Sequence, residues 1–414
     1  MNVCITGTGV VCPSGLNVDE TLASLLEHRS SIQALPAKES YGLVSVAAGC
    51  CPDELQTPGV ASHLVRGVDR SSLFALAAAH QALTQAEQTG LLARGTMPVV
   101  WGCSMGGVST LDEAYLDILE HQKRRVRPAT IPYTMPSAPA FQLAHHLGVR
   151  GPSLTLTVAC ASSALAIAQG ARLIAAGEAS VVLVGGCDSM QTPLVLRAWQ
   201  AAQAICVADP EAPQRSCAPF GKSRQGFAIA EGAACLILES AEHAAQRGAR
   251  VLGWVRGVGH TTDALHISRP DAPSQAQAMR QALAHAGVQP QDISYLNAHG
   301  TATVVGDLSE GQAVRDVFGE HHSQLPVSST KALHGHLIGG AGALEAIVTL
   351  EALRRGRVPG NPHSQDVDPA FADLNIFHEA MDLPPAPRRF GMSNSFAFGG
   401  VNAVLVLESC NDGA

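Results

Sequence analysis

A layered α/β fold with two similar halves is what the sequence predicts, and three observations carry that expectation. Short runs rich in β-branched residues alternate with segments of helical periodicity. Glycine (40 of 414 residues) and alanine recur inside the apolar runs, which suits helices packed closely on strands. Two distant stretches also share one pattern, a β-rich run that reaches a chemically capable side chain and then a helix of small residues.

Along the chain, strands are expected at 3–11, 98–102, 154–158, 181–185, 234–238, 251–258, 294–297, 325–328, 389–392 and 403–407, all short and apolar. Helices are expected at 71–88, 162–176, 275–286, 309–317 and 342–354, where apolar residues return every three to four positions. In the first matching stretch, 154–158 leads to Cys160, a small-residue helix and the strand at Val181. In the second, 325–328 leads to Lys331, His334 and His336, then to the Gly- and Ala-rich helix at 341–353. The connection 204–221 has three prolines and no period, and reads as an exposed crossing between halves. Loop-like insertions are expected at 35–57 and 124–139, and a frayed tail at 409–414.

Composition narrows the function. With 46% hydrophobic and 15% charged residues the chain is neither disordered nor highly charged. A net charge of −8 with 4% aromatics argues against a general nucleic-acid binder. No run of about 18 apolar residues predicts a membrane span, and residues 1–7 read as a strand entering a fold, not a signal peptide. Eleven scattered cysteines without a CxxC pair fit a reducing, cytoplasmic setting.

Four segments carry chemistry. In Thr157-Val158-Ala159-Cys160-Ala161-Ser162 a strand ends at a cysteine and a helix begins. A thiol at a helix N-terminus faces free N–H groups and the positive dipole end, which favour the thiolate and offer an oxyanion site. Taken alone, a cysteine there reads first as a small buried core residue, and context must overturn that reading. In Asn297-Ala298-His299-Gly300-Thr301-Ala302-Thr303 a histidine stands where α/β folds place functional side chains, at a strand's C-terminal end. Glu310 follows on a helix, free to pair with a nearby cation. The third segment is Ser328-Ser329-Thr330-Lys331-Ala332-Leu333-His334-Gly335-His336, running into Gly339-Gly340-Ala341-Gly342. Two histidines without a third donor at ligand spacing do not make a metal site, and the glycines lack a phosphate-loop pattern, so they read as close helix packing. Last, Ser393 to Asn402 contains Phe396, Phe398 and a Gly-Gly turn, either a bulky flap or an ordinary hairpin. One cysteine, two histidines and a lysine at the mouths of strands describe thiol-based acyl chemistry.

These four motifs, in this order, resemble the β-ketoacyl-acyl carrier protein synthases, type II ketosynthases of the thiolase superfamily; Pro219-Phe220, Gly226-Phe227 and Glu231-Gly232 add to the likeness, which spans residues 5 to 407. The resemblance implies a five-layered αβαβα thiolase-like fold from two halves, 1–240 with Cys160 and 241–414 with His299 and His336. It implies decarboxylative condensation of an acyl group, carried on Cys160, with malonyl-acyl carrier protein, in fatty acid or in polyketide or polyene synthesis. His299 and His336 would be the decarboxylation pair, with Lys331 organising them and Glu310 as its partner. Phe398, beside Phe396, would gate the site, its N–H forming the oxyanion hole with that of Cys160. Thr301 and Thr303 would hold the phosphopantetheine arm, and Met105 would set the depth of the acyl pocket near a dimer interface. No metal or resident cofactor is implied, since the phosphopantetheine arrives on the acyl carrier protein. The expected partners are that carrier protein and a second subunit, in a homodimer or in a heterodimer with a ketosynthase-like chain. A non-catalytic chain-length factor is the alternative, although such subunits lack the cysteine.

The chain departs from the family pattern in places. Gly221 replaces the Asp that often follows Pro-Phe, which predicts a missing local salt bridge. The helix motif reads Gly-His-Leu-Ile-Gly-Gly-Ala-Gly, and residues 203–209 lack the arginine that several relatives use to grip the carrier protein. Arg66, Arg70, Lys123, Arg124 and Arg125 are the basic candidates for that task.

Overall fold

The computed structural model describes residues 2–55, 65, 67–89, 92, 94–363 and 366–410. Ten strands form one mixed sheet: β1 Val3–Val11, β2 Val99–Cys103, β3 Ser153–Leu156, β4 Val181–Asp188, β5 Gly232–Ser240, β6 Gly253–Thr262, β7 Ile293–Asn297, β8 Val327–Ser328, β9 Phe390–Phe396 and β10 Val401–Ser409. Their spatial order is β8-β7-β9-β10-β6-β1-β5-β4-β2-β3. Numbering five strands within each half gives 3-2-4-5-1 for β3-β2-β4-β5-β1 and the same 3-2-4-5-1 for β8-β7-β9-β10-β6. Parallel and antiparallel pairings agree as well: strands 2, 3 and 4 run parallel and strand 5 opposes its neighbours in both halves. The halves join where β1 and β6 pair antiparallel through Val3, Cys4 and Ile5. The expected duplication is therefore a duplication of topology.

Five helices complete the layers: α1 Arg70–Ala86, α2 Ser162–Ala175, α3 Ala272–Ala286, α4 Val304–Phe318 and α5 Ala341–Arg355. Helix α1 covers the outer face of the first half, α3 and α4 the outer face of the second, and α2 and α5 lie between the two. That is the αβαβα order. The middle layer packs largely through apolar side chains, and α5 is buried from Ala341 to Leu353 with Glu345, Thr349 and Glu351 inside it. Small residues set how near the middle helices come. A Cβ on Gly342 would stand 2.8 Å from the Cβ of Ala164, and one on Gly102 only 2.4 Å from the Ser163 nitrogen. The glycines of the Gly-Gly-Ala-Gly run thus serve close packing.

Three loop expectations need correction. The connection 204–221 is not an exposed crossing: Ile205, Cys206, Cys217 and Phe220 are buried, the two cysteines against Ile32, Ala47 and Ala302. Residues Val46–Gly49, inside the first predicted insertion, form the middle strand of a small sheet with Ile32–Leu35 and Ile229–Ala230. The second insertion contains the short helix Thr130–Thr134 and the start of helix Ala138–Leu147. In the first two cases tertiary packing supplies the burial that the local pattern does not announce; the second insertion stays exposed from Arg124 to Pro128 and of helix Thr130–Thr134 buries only Thr130. Of the expected tail, Ser409 ends β10, Cys410 follows it, and 411–414 lie outside the described residues.

Candidate active site

The duplication explains how the site is assembled. Cys160 follows strand 3 of the first half and precedes the middle helix α2; His336 follows strand 3 of the second and precedes the middle helix α5. Equivalent corners of the two halves therefore meet, and His336 Nε2 lies 3.0 Å from Cys160 Sγ. The cysteine corner is tight. Ala159 is held at φ 47°, and the Ser162 hydroxyl donates to the Ala159 carbonyl at 2.7 Å while accepting from the Val158 N–H at 2.9 Å. His336 is strapped to the small sheet by its N–H to Ala228 O (2.7 Å) and its carbonyl to Ala230 N (2.9 Å).

His299 arrives from the end of β7. Its backbone N–H and that of Gly300 donate to the two oxygens of Glu310, at 2.8 and 2.7 Å, and Asn394 Nδ2 adds a third bond at 2.9 Å. Glu310 is thus a clamp on the histidine turn and not the ion-pair partner of Lys331. That partner is Glu345, on the first turns of α5, with both side chains fully buried. A carboxylate in the first turns of an apolar helix was the available signal, and it was overlooked. The rings of His299 and His336 stand 5.5 Å apart at 81°, and Phe227 meets His336 edge-on at 5.0 Å.

Protonation follows from burial and charge. Burial and the Lys331 charge hold both His299 and His336 well below the usual imidazole range, so both rings are neutral. The Ile338 N–H donates to Nδ1 of His336 at 3.3 Å, which leaves the proton on Nε2, the atom facing sulfur. His334 serves elsewhere: its ring bonds the Thr330 hydroxyl at 3.0 Å and the Gly335 carbonyl at 2.5 Å.

The expected resting thiolate is overturned. Burial pushes the Cys160 thiol up to about 12, with Lys331 and the Phe398 N–H pulling the other way. A helix terminus contributes at most about 2 kcal/mol, whereas removing a charge from water costs several, so burial wins. Alkylation by iodoacetamide should therefore quicken about tenfold per pH unit from about pH 6 to about pH 9 without levelling. A plateau near neutrality in that rate profile would contradict a neutral thiol.

A cavity of about 400 Å³ reaches these groups. Cys160, His299, His336, Phe396 and Phe398 line it, as do Thr301 and Thr303, whose hydroxyls are 2.9 Å apart. Phe398 is half-buried at the hairpin tip before Gly399 and Gly400, both at positive φ. Phe396, expected beside it in a flap, is instead a buried wall in the core of the second half, 6.0 Å from the His299 ring. Met105 does not line this cavity; it is 40% exposed and its N–H donates to Asp188. The apolar cluster behind Cys160 is made by Met190, Val195, Leu196 and Ile338, with Trp199 against Phe398 at 5.8 Å, none of which the sequence singled out.

Ligand atoms of Cys160, His299 and His336 all lie within 4.8 Å of one another, enough donors for a catalytic zinc. The buried Lys331 cation, which already disfavours a positive charge on both imidazoles, works against a metal cation there. Of the basic candidates, Arg70 is bound to Glu231 at 2.7 Å and Lys123 to Asp117 at 2.7 Å; Arg124 and Arg125 are exposed, and Arg66 lies outside the described residues. Beside Gly221, Arg224 donates to the Gly221 carbonyl at 2.9 Å and pairs with Asp368 at 2.6 Å.

Comparisons with known proteins agree on the family. The model described as "Beta-ketoacyl synthase, N-terminal domain" matches residues 1–244, and "Beta-ketoacyl synthase, C-terminal domain" matches residues 252–365. Nodulation protein E of Rhizobium meliloti (strain 1021) is 38% identical, covering 98% of both chains. The 3-oxoacyl-[acyl-carrier-protein] synthase 2 of Staphylococcus aureus (strain MRSA252) is 34% identical over 99% of this chain and 98% of its own. A β-ketoacyl synthase crystal structure from Burkholderia phymatum STM815 superimposes with a TM-score of 0.89 at 33% identity, over 99% of this chain and 100% of its own. With matched models over most of its length and relatives above a third identical from end to end, this chain belongs to the β-ketoacyl synthases, the condensing enzymes of the thiolase fold.

Proposed function

We propose that the protein condenses an acyl group, held as a thioester on Cys160, with a malonyl thioester delivered by an acyl carrier protein. The observation that carries this reading is the 3.0 Å contact between Cys160 Sγ and an imidazole whose proton sits on the facing nitrogen. In the first half-reaction, sulfur attacks the incoming thioester carbonyl; the acyl–S bond to the carrier breaks, and the Cys160 proton leaves with the carrier thiol. The His336 N–H supports sulfur as its charge grows, and the N–H groups of Phe398 and Cys160, both of which favour negative charge at this point, receive the carbonyl oxygen. In the second, the malonyl unit loses CO₂ and charge builds on its thioester oxygen. Two neutral imidazole donors meet that charge in a water-poor pocket, where they lower the barrier most. The resulting carbanion attacks the carbonyl of acyl-Cys160; its C–S bond breaks, the released sulfur takes a proton from solvent, and the β-ketoacyl chain departs on the carrier.

Several roles follow from placement. Thr301 and Thr303 present paired hydroxyls to the amides of the arm, Phe398 gates the pocket, and Lys331 with Glu345 sets the charge behind the histidines. The prosthetic arm belongs to the carrier, so no resident cofactor is assigned. Eleven cysteines, with those described all unbonded, support a reducing cytoplasm; no helix among the described residues is long and apolar enough to cross a membrane. A second subunit is read from the first half's edge, where β3 is outermost with Leu154 exposed, near Met105, Ile131 and Phe141, also exposed. Met105 would reach an acyl pocket only through that interface. A non-catalytic chain-length factor would not need Cys160 poised against His336.

The test is direct. Incubation with carrier proteins bearing acyl groups of increasing length, followed by mass spectrometry, should place the acyl mass on the peptide containing Cys160. If no donor acylates that peptide, the reading is wrong. The lengths that transfer also separate a fatty acid pathway from a polyketide or polyene one.

A further inference from the structure

Asp188 is a buried carboxylate that no step of the condensation touches. It ends β4 in the first half, fully enclosed, yet it reaches across to the second half. Its Oδ2 accepts the Gly339 N–H at 2.7 Å and the Ser104 N–H at 3.1 Å, and Oδ1 accepts the Met105 N–H at 3.2 Å. The Cys103 thiol lies 3.6 Å from Oδ1. Position 339 leaves room for nothing larger than hydrogen, since a Cβ there would stand 2.4 Å from Oδ2 and 2.9 Å from the Ser104 nitrogen. Just before it, Ile338 is held at φ 49°, a left-handed conformation that a β-branched residue rarely adopts. Such a backbone persists only where its surroundings over-determine it.

The two halves show what holds it. Ala159 and Ile338 occupy equivalent places, at φ 47° and 49°, each opening the single turn (Ala159–Ala161, Ile338–Gly340) that leads into a middle helix. In the first half Ser162 braces that turn from within, through its bonds to Val158 and Ala159. Ala341 stands in the place of Ser162 and has no hydroxyl. The second turn is braced from the other half instead, by Asp188. What the brace secures is the Leu337–Ile338 peptide, whose N–H meets Nδ1 of His336 at 3.3 Å. A flip of that peptide, which relaxes Ile338 to negative φ, would turn the Leu337 carbonyl towards Nδ1. The ring proton would then belong on Nδ1, and Nε2 would stand bare opposite Cys160.

We propose that Asp188 is a positioning residue for decarboxylation: by gripping the Gly339 N–H it holds the strained turn that keeps the His336 proton on Nε2, the nitrogen that donates to the malonyl oxygen. The inference rests on the condensing role given above. Asp188 acts through the turn and touches neither substrate nor sulfur.

Nitrogen NMR of protein labelled in its histidine rings reads the tautomer without any turnover, with the His336 signals identified by their loss in His336→Ala. Wild type should carry the proton on Nε2. Asp188→Ala should move it to Nδ1 and lower CO₂ release from malonyl thioester about 10²-fold, as removal of one donor to the developing charge does. Acylation of Cys160 by a short acyl donor should survive, because the Phe398 and Cys160 N–H groups keep their places; it also shows that the variant is folded. Asp188→Asn, nearly the same shape with one acceptor oxygen left, should fall between the two in both readouts, and it decides the matter if the alanine variant does not fold. The proposal is overturned if the folded variants keep the proton on Nε2, or if the proton moves while CO₂ release stays at the wild-type rate. It is equally overturned if only the acyl lengths accepted by Cys160 change, which would confine Asp188 to the Met105 turn. A wild-type protein that neither forms acyl-Cys160 nor releases CO₂ would sink the condensing role itself, a separate failure that the tautomer measurement does not share.

Discussion

Cys160→Ala should abolish condensation and leave decarboxylation of malonyl thioester measurable, whereas His299→Ala should suppress decarboxylation, and condensation with it, and leave acylation of Cys160 intact. The two side chains share one cavity but serve different half-reactions. Sulfur alone can hold the acyl group, so its loss removes the covalent intermediate and should cost at least about 10³-fold in product formation. The imidazoles remain, with His336 still fixed by the Ile338 N–H, and can polarise a malonyl carbonyl. His299→Ala removes one of two donors to the developing enolate, a loss of about 10²–10³-fold in CO₂ release. Acylation of Cys160 by an acyl donor should survive it, because the His336 contact and the backbone N–H groups are untouched. The measurements are labelled CO₂ release and acyl-enzyme mass on each variant. Equal loss of both activities in both variants would mean the division of labour is wrong. Full condensation by Cys160→Ala in a complex with another ketosynthase chain would instead favour the chain-length-factor role.

The second large effect concerns the buried pair. Lys331→Met leaves the Glu345 carboxylate buried without its counter-charge, a change that typically costs about 3–5 kcal/mol. The burial and the unlike charges make the two residues interdependent: burial raises the Glu345 carboxyl, Lys331 pulls it back, and the balance leaves it at about 7. Lys331→Met with Glu345→Leu should recover most of the stability, since two apolar groups of similar size fill the same space. Activity should not recover. Lys331 is one of the forces holding His299 and His336 low, so its removal raises both towards the ordinary imidazole range. As the pH falls, the rings then protonate sooner, and the acid limb of kcat/KM should move to higher pH. Urea denaturation and a pH–rate profile of the single and double variants check the two parts separately. An unchanged acid limb in the double variant would remove Lys331 from the histidine electrostatics.

Much of the fold was legible because its elements announce themselves locally. All ten expected strands are the ten strands of the sheet, shifted by a few residues at their ends, and β1 agrees at both. The small sheet around Val46 was not legible, since its four residues draw their burial from distant Ile229 and Ala230. At the site, Cys160, His299 and His336 stood out as reactive types at strand ends. The partner of Lys331 did not, because whether Glu310 or Glu345 faces it depends on how α4 and α5 seat against the sheet. Trp199 and Met190 were missed for a related reason: apolar residues look alike in sequence until a pocket selects them.

By itself the sequence determined the ten strands of the large sheet, the five helices of its layers, the repeated arrangement of the two halves and the reactive side chains at their corners. These are consequences of periodicity, glycine placement and residue chemistry, all local properties. Only the tertiary structure decided the ionisation of the site. Removal from water keeps the thiol neutral against the pull of Lys331 and, together with that lysine, keeps both imidazoles neutral; desolvation belongs to the assembled surroundings, not to any stretch of chain.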